Sequence, residues 1–323
     1  MSATPFIPNL KKLSKNPQRL AGGHRLCPGC GISFILKQVM TVTDAPMVVV
    51  NATGCSEICT SAYPETSWKT PWIHSLFENT SAVASGVDAA RKALIRKGRA
   101  TDDQKRMKIL AIGGDGGTYD IGFQSLSGAA ERGHDFVYLC FDNEGYMNTG
   151  YQRSSATPLG ASTSTSPDGK VIHGKTTNRK DLTAIMAAHK IPYVAQGSPA
   201  HWADLMSKAH KAFEVEGPAF LNTLSPCPTN WKSLPEDGLK LMKAAVDTCF
   251  WPLFEVVQGK WKITYKPKEK LPIEAWLTGQ KRFRHLLKPE NAALKDALQA
   301  EVDRGWQELL NLEKMSQEIT PTS

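Results

Sequence analysis

The chain has 323 residues, of which 41% are hydrophobic and 22% are charged, and its formal net charge is +8. This composition is typical of a globular protein and excludes fibrous and disordered classes. The apolar run at residues 45–50 is far shorter than the ~20 residues that span a bilayer, so a membrane protein is excluded as well. No N-terminal segment has the pattern of an export signal, and we expect a cytoplasmic protein.

Apolar runs alternate with helical patterns along the first two thirds of the chain. Strands are predicted at residues 46–51, 108–112, 136–141, 192–195 and 219–224, and helices at residues 80–97, 122–132, 181–190 and 199–215. Strands separated by helices indicate the α/β class, with a parallel sheet covered by helices on both faces. Between them, residues 143–178 form a long polar loop, and loops of this length are usually functional or disordered.

The last part of the chain is predicted to be a mainly helical extension. We place the boundary so that residues 1–233 form the α/β domain and residues 234–323 pack on that domain or on a partner subunit. A charged helix is predicted at residues 291–315. Five lysines between residues 260 and 270 predict a solvated loop, with an acidic protein partner as the second interpretation. We predict no nucleic-acid partner, because no recognised binding module is present.

Cysteine usage points to metal chemistry. Seven cysteines in a cytoplasmic chain argue against a disulfide framework. Four of them stand beside Gly or Pro, where a loop can present sulfur: Cys27, Cys30, Cys55 and Cys227. Four thiolates suit an iron–sulfur cluster or a tetrahedral zinc ion, and the residues alone leave both open. The others are expected to be structural: Cys140 within a strand, Cys249 within a helical pattern, and Cys59 one helical turn after Cys55.

A Gly-Asp-Gly sequence, Gly114 to Gly116, follows the second predicted strand, and Asp142 and Asn143 follow the third. The carboxyl ends of parallel strands share one edge of the sheet, where ligands bind. The carboxylate of Asp115, the amide of Asn143 and a nearby backbone carbonyl would supply half of an octahedral Mg²⁺ shell. Glycines let a phosphate approach the backbone, and the next helix points its N-terminus there. The alternative is a glycine-rich turn that serves only the fold.

This spacing resembles the thiamine-diphosphate motif, which begins with Gly-Asp-Gly and ends in Asn-Asn, although Asp142 replaces the first Asn here. Four further motifs are Cys27-Pro28-Gly29-Cys30-Gly31, Ala52-Thr53-Gly54-Cys55, Pro71-Trp72-Ile73-His74 and Tyr146-Met147-Asn148-Thr149-Gly150. Together they resemble the β subunit of 2-oxoacid:ferredoxin oxidoreductases over roughly residues 20–230, and the pyruvate branch in particular. The resemblance implies a thiamine-diphosphate-binding fold.

The same resemblance implies three cofactors: thiamine diphosphate, Mg²⁺ and a [4Fe-4S] cluster. The implied cluster ligands are Cys27, Cys30, Cys55 and Cys227. The implied Mg²⁺ ligands are Asp115, Asn143 and the carbonyl of Gly145. Cofactor contacts are expected from Gly114, Asp115, Gly116, Gly117, Asn143, Gly145, Tyr146, Asn148 and Thr149. The residues expected at the reacting carbonyl are Asn148, Thr53 and Cys55. The role of His74 stays open.

Several partners are implied as well. No Glu of this chain is placed by a motif against the thiamine pyrimidine, so an α subunit with the pyrimidine-binding domain would supply it. A γ subunit and a ferredoxin-like δ subunit would complete the complex, with ferredoxin as the electron acceptor. The expected reaction is the oxidative decarboxylation of a 2-oxoacid, pyruvate foremost, with coenzyme A to acyl-CoA and CO₂.

Alternatives to this function remain. The substrate could instead be phenylglyoxylate, oxalate or a branched-chain 2-oxoacid. The chain could belong to a non-oxidative thiamine-dependent decarboxylase or synthase in which the four cysteines hold structural zinc. It could also be a non-catalytic electron-transfer or scaffold subunit. The direction of the reaction and the subunit stoichiometry are open.

Overall fold

The computed structural model describes residues 6–318. The strands are β1 (Met47–Ala52), β2 (Trp72–Ser75), β3 (Lys108–Gly114), β4 (Val137–Asp142), β5 (Tyr193–Gly197), β6 (Ala219–Leu224), β7 (Leu253–Val257) and β8 (Lys260–Tyr265). The helices are α1 (Leu10–Leu13), α2 (Gly31–Met40), α3 (Cys55–Ile58), α4 (Thr80–Arg96), α5 (Asp102–Arg106), α6 (Phe123–Glu131), α7 (Leu182–Ala188), α8 (Trp202–Glu214), α9 (Pro228–Trp231), α10 (Gly238–Asp247), α11 (Glu274–Leu277) and α12 (Ala292–Glu318). A π-helical turn (Gly116–Ile121) precedes α6.

One sheet joins these strands in the order β2-β1-β3-β4-β6-β5-β7-β8. The pairings from β2 to β5 are parallel, and β7 and β8 continue the sheet in antiparallel pairing. The predicted α/β class is therefore confirmed. Each predicted strand and helix is present, with ends shifted by at most three residues. The sequence analysis missed α2, β2 and β7, and also the short helices α1, α3, α5 and α9.

Helices cover both faces of the sheet. On one face, Ile35 and Leu36 of α2 and Leu205 of α8 are fully buried against the strands. On the other face, Ala84 of α4 and Met186 of α7 pack on the sheet together with α6. Burying an aliphatic side chain of this size stabilises the fold by about 1.5–3 kcal/mol. The two apolar layers hold the carboxyl ends of the central strands at a fixed edge.

The prediction of a solvated loop at residues 260–270 is wrong for its first part, because β8 occupies Lys260–Tyr265. Lys260 and Lys262 are exposed while Ile263 is buried, as expected of an alternating edge strand. Exposed lysines on an edge strand also discourage pairing with another chain. The many lysines in this segment concealed its alternation of exposed and less exposed side chains.

The C-terminal extension packs on segments that precede it in the chain. Its buried Trp251, Trp276 and Phe283 form an apolar cluster with Leu224 and Trp231 from the preceding segment. The boundary at residue 233 stays a prediction. Within residues 6–318, every helix is too short or too polar to cross a bilayer.

Candidate active site at the carboxyl edge of the sheet

Four neighbouring strands end at the same edge of the sheet. The chain passes from β1 to Cys55, from β3 to Asp115, from β4 to Asn143 and from β6 to Cys227. Because these strands are adjacent and parallel, the residues that follow them lie close together. The fold therefore brings the Gly-Asp-Gly loop and two of the four selected cysteines to one side of the molecule, as the spacing predicted.

Three oxygen-bearing groups converge between the ends of β3 and β4. One atom of the Asn143 side-chain amide lies 2.8 Å from Asp115 Oδ1 and 3.0 Å from the Gly145 carbonyl oxygen. Without a cation the amide nitrogen would donate to both oxygens, whereas rotation of the amide would turn its oxygen toward a bound cation. Neighbouring ligands of an octahedral Mg²⁺ lie about 2.9 Å apart, given Mg–O distances near 2.05 Å. The donor set and its spacing fit Mg²⁺.

The Asp115 carboxylate is fully buried. Ser154 Oγ donates to its Oδ2 at 2.5 Å, and the Asn143 backbone N–H donates to its Oδ1 at 3.1 Å. Burial, and then the charge of Asp142, raises the pKa of Asp115 well above its ordinary value. A divalent cation at this position would offset both effects, because it stabilises the ionised carboxylate.

A cavity of about 150 Å³ opens beside these oxygens. Its lining includes Thr53, Cys55, Phe77, Gly114, Gly116, Gly117, Asn143, Gly145, Tyr146, Asn148 and Thr149. The glycines differ in what surrounds them. A Cβ atom on Gly116 would lie 2.6 Å from the Tyr146 ring, and one on Gly117 would lie 3.0 Å from the Phe77 carbonyl. A Cβ atom on Gly114 would meet nothing within 4 Å, so Gly114 leaves space at the cavity wall.

His74, whose role was open, contacts Thr53, one of the residues that line this cavity. Its Nε2 is 2.7 Å from the hydroxyl oxygen of Thr53 and 3.9 Å from Glu57 Oε2. The Glu57 side chain is only 9% exposed, and its Oε2 has no hydrogen-bond partner. The imidazole thus lies between the buried Glu57 carboxylate and the hydroxyl group of Thr53, a residue that lines the cavity.

The four selected cysteines are free thiols on neighbouring segments. Gly31 N–H donates to the Pro226 carbonyl at 3.1 Å, which joins the Cys30 turn to the Cys227 loop. Burial, and then neighbouring thiolates, raises the pKa of Cys30 to about 12 and that of Cys55 further. The pKa of Cys227 is also raised by burial. Within residues 6–318, no three His, Cys, Asp or Glu side chains converge tightly enough to hold a single metal ion.

The remaining cysteines differ among themselves. Cys140 is fully buried in β4, as predicted. Cys249 is buried too, but it lies beyond the end of α10 with a φ of 59°, so its predicted helical position is wrong. Cys59 lies near Cys27, and its pKa is raised by burial and then by the Cys27 thiolate. Its structural role stays a prediction.

The sequence analysis did not identify the partners of Asp142, which replaces the first Asn of the thiamine motif, or the partner of the Asn143 carbonyl. Asp142 Oδ2 accepts hydrogen bonds from Tyr119 Oη and Arg179 Nη2, each at 2.6 Å. Trp231 Nε1 donates to the Asn143 carbonyl at 3.1 Å. These partners lie 23 to 88 residues away along the chain. No local pattern marks them, because they meet the site only through packing.

This chain is similar to known proteins over most of its length. Residues 52–223 match the family of thiamine pyrophosphate enzymes, C-terminal TPP binding domain. The chain is 51% identical over 82% of its length to pyruvate synthase subunit PorB of Methanocaldococcus jannaschii, covering 89% of that protein. It is 45% identical over 96% of its length to the same subunit of Thermotoga maritima, covering 98%.

Two further similarities are more distant. The chain is 39% identical over 94% of its length to ketoisovalerate oxidoreductase subunit VorB of Pyrococcus furiosus, covering 97% of that protein. A solved 2-oxoglutarate:ferredoxin oxidoreductase from Magnetococcus marinus superposes with a TM-score of 0.52 at 21% identity, covering 70% of this chain and 79% of that one. The structural match confirms the fold alone.

Proposed function

Since this chain belongs to the family of pyruvate synthase PorB subunits, a branch of the thiamine-dependent 2-oxoacid:ferredoxin oxidoreductases, we propose that it takes part in pyruvate oxidation. The reaction converts pyruvate and coenzyme A to acetyl-CoA and CO₂, and the electrons leave for ferredoxin. Identity to the two pyruvate synthase subunits, 51% and 45%, exceeds the 39% identity to the ketoisovalerate subunit. That difference favours pyruvate over a branched-chain substrate.

One observation carries the proposal: the oxygen-bearing groups of Asp115, Asn143 and Gly145 converge beside the cavity. These atoms would hold Mg²⁺, and the space left by Gly114 would take the diphosphate against the backbone. Bound thiamine diphosphate would supply the electron sink that allows a 2-oxoacid to lose CO₂.

The chain's own side chains would orient the substrate. Thr53 lines the cavity, and the contacts of its hydroxyl group with His74 and the Ser75 carbonyl fix the direction of that group. Asn148 and Thr149 are exposed at the same cavity, with Tyr146 beside them. We assign Thr53 and Asn148 to the reacting carbonyl, because an amide and a hydroxyl group can both stabilise developing negative charge on oxygen.

Four thiols would form the route by which electrons leave. We propose that Cys27, Cys30, Cys55 and Cys227 hold a [4Fe-4S] cluster, with Cys55 next to the cavity. Burial raises the pKa of Cys30, Cys55 and Cys227, so assembly of the cluster has to displace protons from these thiols. Seven free cysteines suit a reducing compartment, and we expect the complex to work in the cytoplasm.

A second chain would complete the active site. The cavity of about 150 Å³ is smaller than the ~300–1,000 Å³ usual for sites that enclose a whole ligand. None of the described residues that line it is a glutamate. We therefore propose that an α subunit supplies the pyrimidine-binding half and its Glu. A γ subunit and a ferredoxin-like δ subunit would complete the complex.

Anaerobic purification of the chain with its co-purifying partners tests this function. Iron, sulfide, zinc, magnesium and thiamine are measured, followed by turnover of several 2-oxoacids with coenzyme A and an electron acceptor. The proposal predicts about four irons and four sulfides for this chain, one thiamine diphosphate per site and fastest turnover of pyruvate. Zinc in place of iron would favour a non-oxidative thiamine enzyme. Faster turnover of a branched-chain or aromatic 2-oxoacid would overturn the substrate alone.

A further inference from the structure

Two buried ion pairs flank the residue that bears the candidate metal-binding amide. Asp142 and Glu144 stand on either side of Asn143, and both carboxylates are 0% exposed. Arg179 Nη2 lies 2.6 Å from Asp142 Oδ2, and its Nη1 lies 3.6 Å from Glu144 Oε1. The guanidinium of Arg282, 1% exposed, donates to Glu144 Oε2. Two cations thus compensate two buried anions around Asn143.

Arg282 belongs to the C-terminal extension and lies 138 residues from Glu144 along the chain. Its Nε and Nη2 donate to Gln280 Oε1 at 3.0 and 2.7 Å, which fixes the plane of the guanidinium. The Cζ atom of this guanidinium lies 4.5 Å from the centre of the Trp231 ring. Trp231 in turn donates to the Asn143 carbonyl. Arg282 therefore supports the Asn143 segment through two separate contacts.

The backbone at Glu144 needs such support. Its φ is 69°, in the left-handed region that costs a residue with a Cβ atom about 1–2 kcal/mol. The Glu144 carbonyl also accepts a hydrogen bond from Thr157 Oγ1 at 2.7 Å. Because Glu144 lies between Asn143 and Gly145, its conformation decides whether their two oxygens face Asp115 together.

We propose that Arg282 is a positioning residue for the metal site: by binding Glu144, it holds the turn that aims the Asn143 amide and the Gly145 carbonyl at Asp115. This inference rests on the proposed function, which assigns Mg²⁺ to these oxygens. It also gives the C-terminal extension a role at the active site. Outer residues that orient metal ligands typically change metal affinity by about 10- to 100-fold when they are removed.

The test measures binding of Mn²⁺, as a spectroscopic substitute for Mg²⁺, to the purified complex in the presence of thiamine diphosphate. Electron paramagnetic resonance reports free and bound Mn²⁺, and denaturation of the metal-free complex reports stability separately. Arg282→Met should weaken Mn²⁺ binding about 10- to 100-fold. Arg282→Lys, which keeps the charge and loses the planar fork, should weaken it less. Arg284→Met, at an exposed position two residues on, should bind as the wild type does.

A double variant separates positioning from charge compensation. Glu144→Gln combined with Arg282→Met removes both buried charges, and it should restore stability while Mn²⁺ binding stays weak. Wild-type affinity in the double variant would show that Arg282 only neutralises Glu144, and would overturn the inference. Wild-type affinity in Arg282→Met would overturn it as well. If Arg282→Met does not fold, wild-type affinity in Arg282→Lys decides against the inference. Absence of Mn²⁺ binding by the wild-type complex would overturn the proposed metal site and the inference together.

Discussion

The Nε2 atom of His74 lies 2.7 Å from the hydroxyl oxygen of Thr53, a residue that lines the candidate active site. The pairing of β1 with β2 produces this contact, because it places His74 opposite Asn51, two residues before Thr53. The imidazole is also 3.9 Å from the buried Glu57. A sheet register therefore determines where the Thr53 hydroxyl group points.

This contact predicts that Thr53 and His74 act together. Thr53→Val and His74→Phe should each lower kcat/KM for the 2-oxoacid about tenfold, which corresponds to one hydrogen bond in the transition state. Because both changes break the same contact, the double variant should be no slower than either single variant. Steady-state kinetics of the complex give the three values. Effects that multiply would show that the two residues act independently.

Asp115→Asn should abolish Mg²⁺ and thiamine diphosphate binding and leave cluster iron unchanged. It should also stabilise the metal-free chain. Burial raises the pKa of Asp115 in the folded chain. The free energy of unfolding therefore falls as the pH rises above the ordinary pKa of an aspartate, because the unfolded chain then loses this proton more readily than the folded chain does. Asn does not titrate and escapes that loss. Cofactor analysis and denaturation between pH 4 and 8 check both statements. Full activity of the variant complex would instead indicate a non-catalytic scaffold.

Serine variants of the cysteines should fall into two groups that differ in iron content. Changing Cys27, Cys30, Cys55 or Cys227 to Ser should each lower the iron bound by this chain well below about four atoms, because a [4Fe-4S] cluster uses four thiolates. Cys59→Ser is the matched control, since Cys59 is a free thiol of the same neighbourhood. Anaerobic iron and sulfide assays give the outcome. Loss of iron in the Cys59 variant would show that the ligand set is wrong.

Gly114→Ala tests the space at the cavity wall. The added methyl group meets no protein atom within 4 Å, so the unfolding free energy should change little. A bound diphosphate would lose its close approach to the backbone, and the Kd for thiamine diphosphate should rise about tenfold or more. Gly86→Ala, exposed on α4 with equally open space, is the control and should gain about 1 kcal/mol of stability. Unchanged cofactor affinity in Gly114→Ala would exclude this path for the diphosphate.

Lys208 connects the hairpin of β7 and β8 to strand β5. Its ammonium group, 1% exposed, donates to the Gln196 carbonyl of β5 and to Thr264 of β8, each at 2.8 Å, and to Asp204 at 2.6 Å. Lys208→Met should destabilise the chain by about 3 kcal/mol or more, because it leaves a partly buried carboxylate without its cation. Lys240→Met, at an exposed position of α10, should have no measurable effect. Denaturation curves compare them, and equal stability would mean that strand pairing with β5 and apolar packing hold the hairpin without Lys208.

Sequence patterns predicted the central sheet because each strand and helix carries its own periodicity. They also predicted that Asp115 and Asn143 would meet, since parallel strands deliver their carboxyl ends to one edge. They failed where the local signal was mixed: β2 is only four residues long, and lysines conceal the alternation in β8. The sequence also did not show that β8 forms an edge of the sheet.

The sequence by itself determined the fold class and the family, and it predicted which residues hold the cofactors, because motifs at strand ends are short and local. Only the tertiary structure decided which residues complete that site. Arg179 and Arg282 meet Asp142 and Glu144 across 37 and 138 residues of chain. No spacing rule predicts such pairs, since a buried charge is stabilised by whichever opposite charge the packing places beside it.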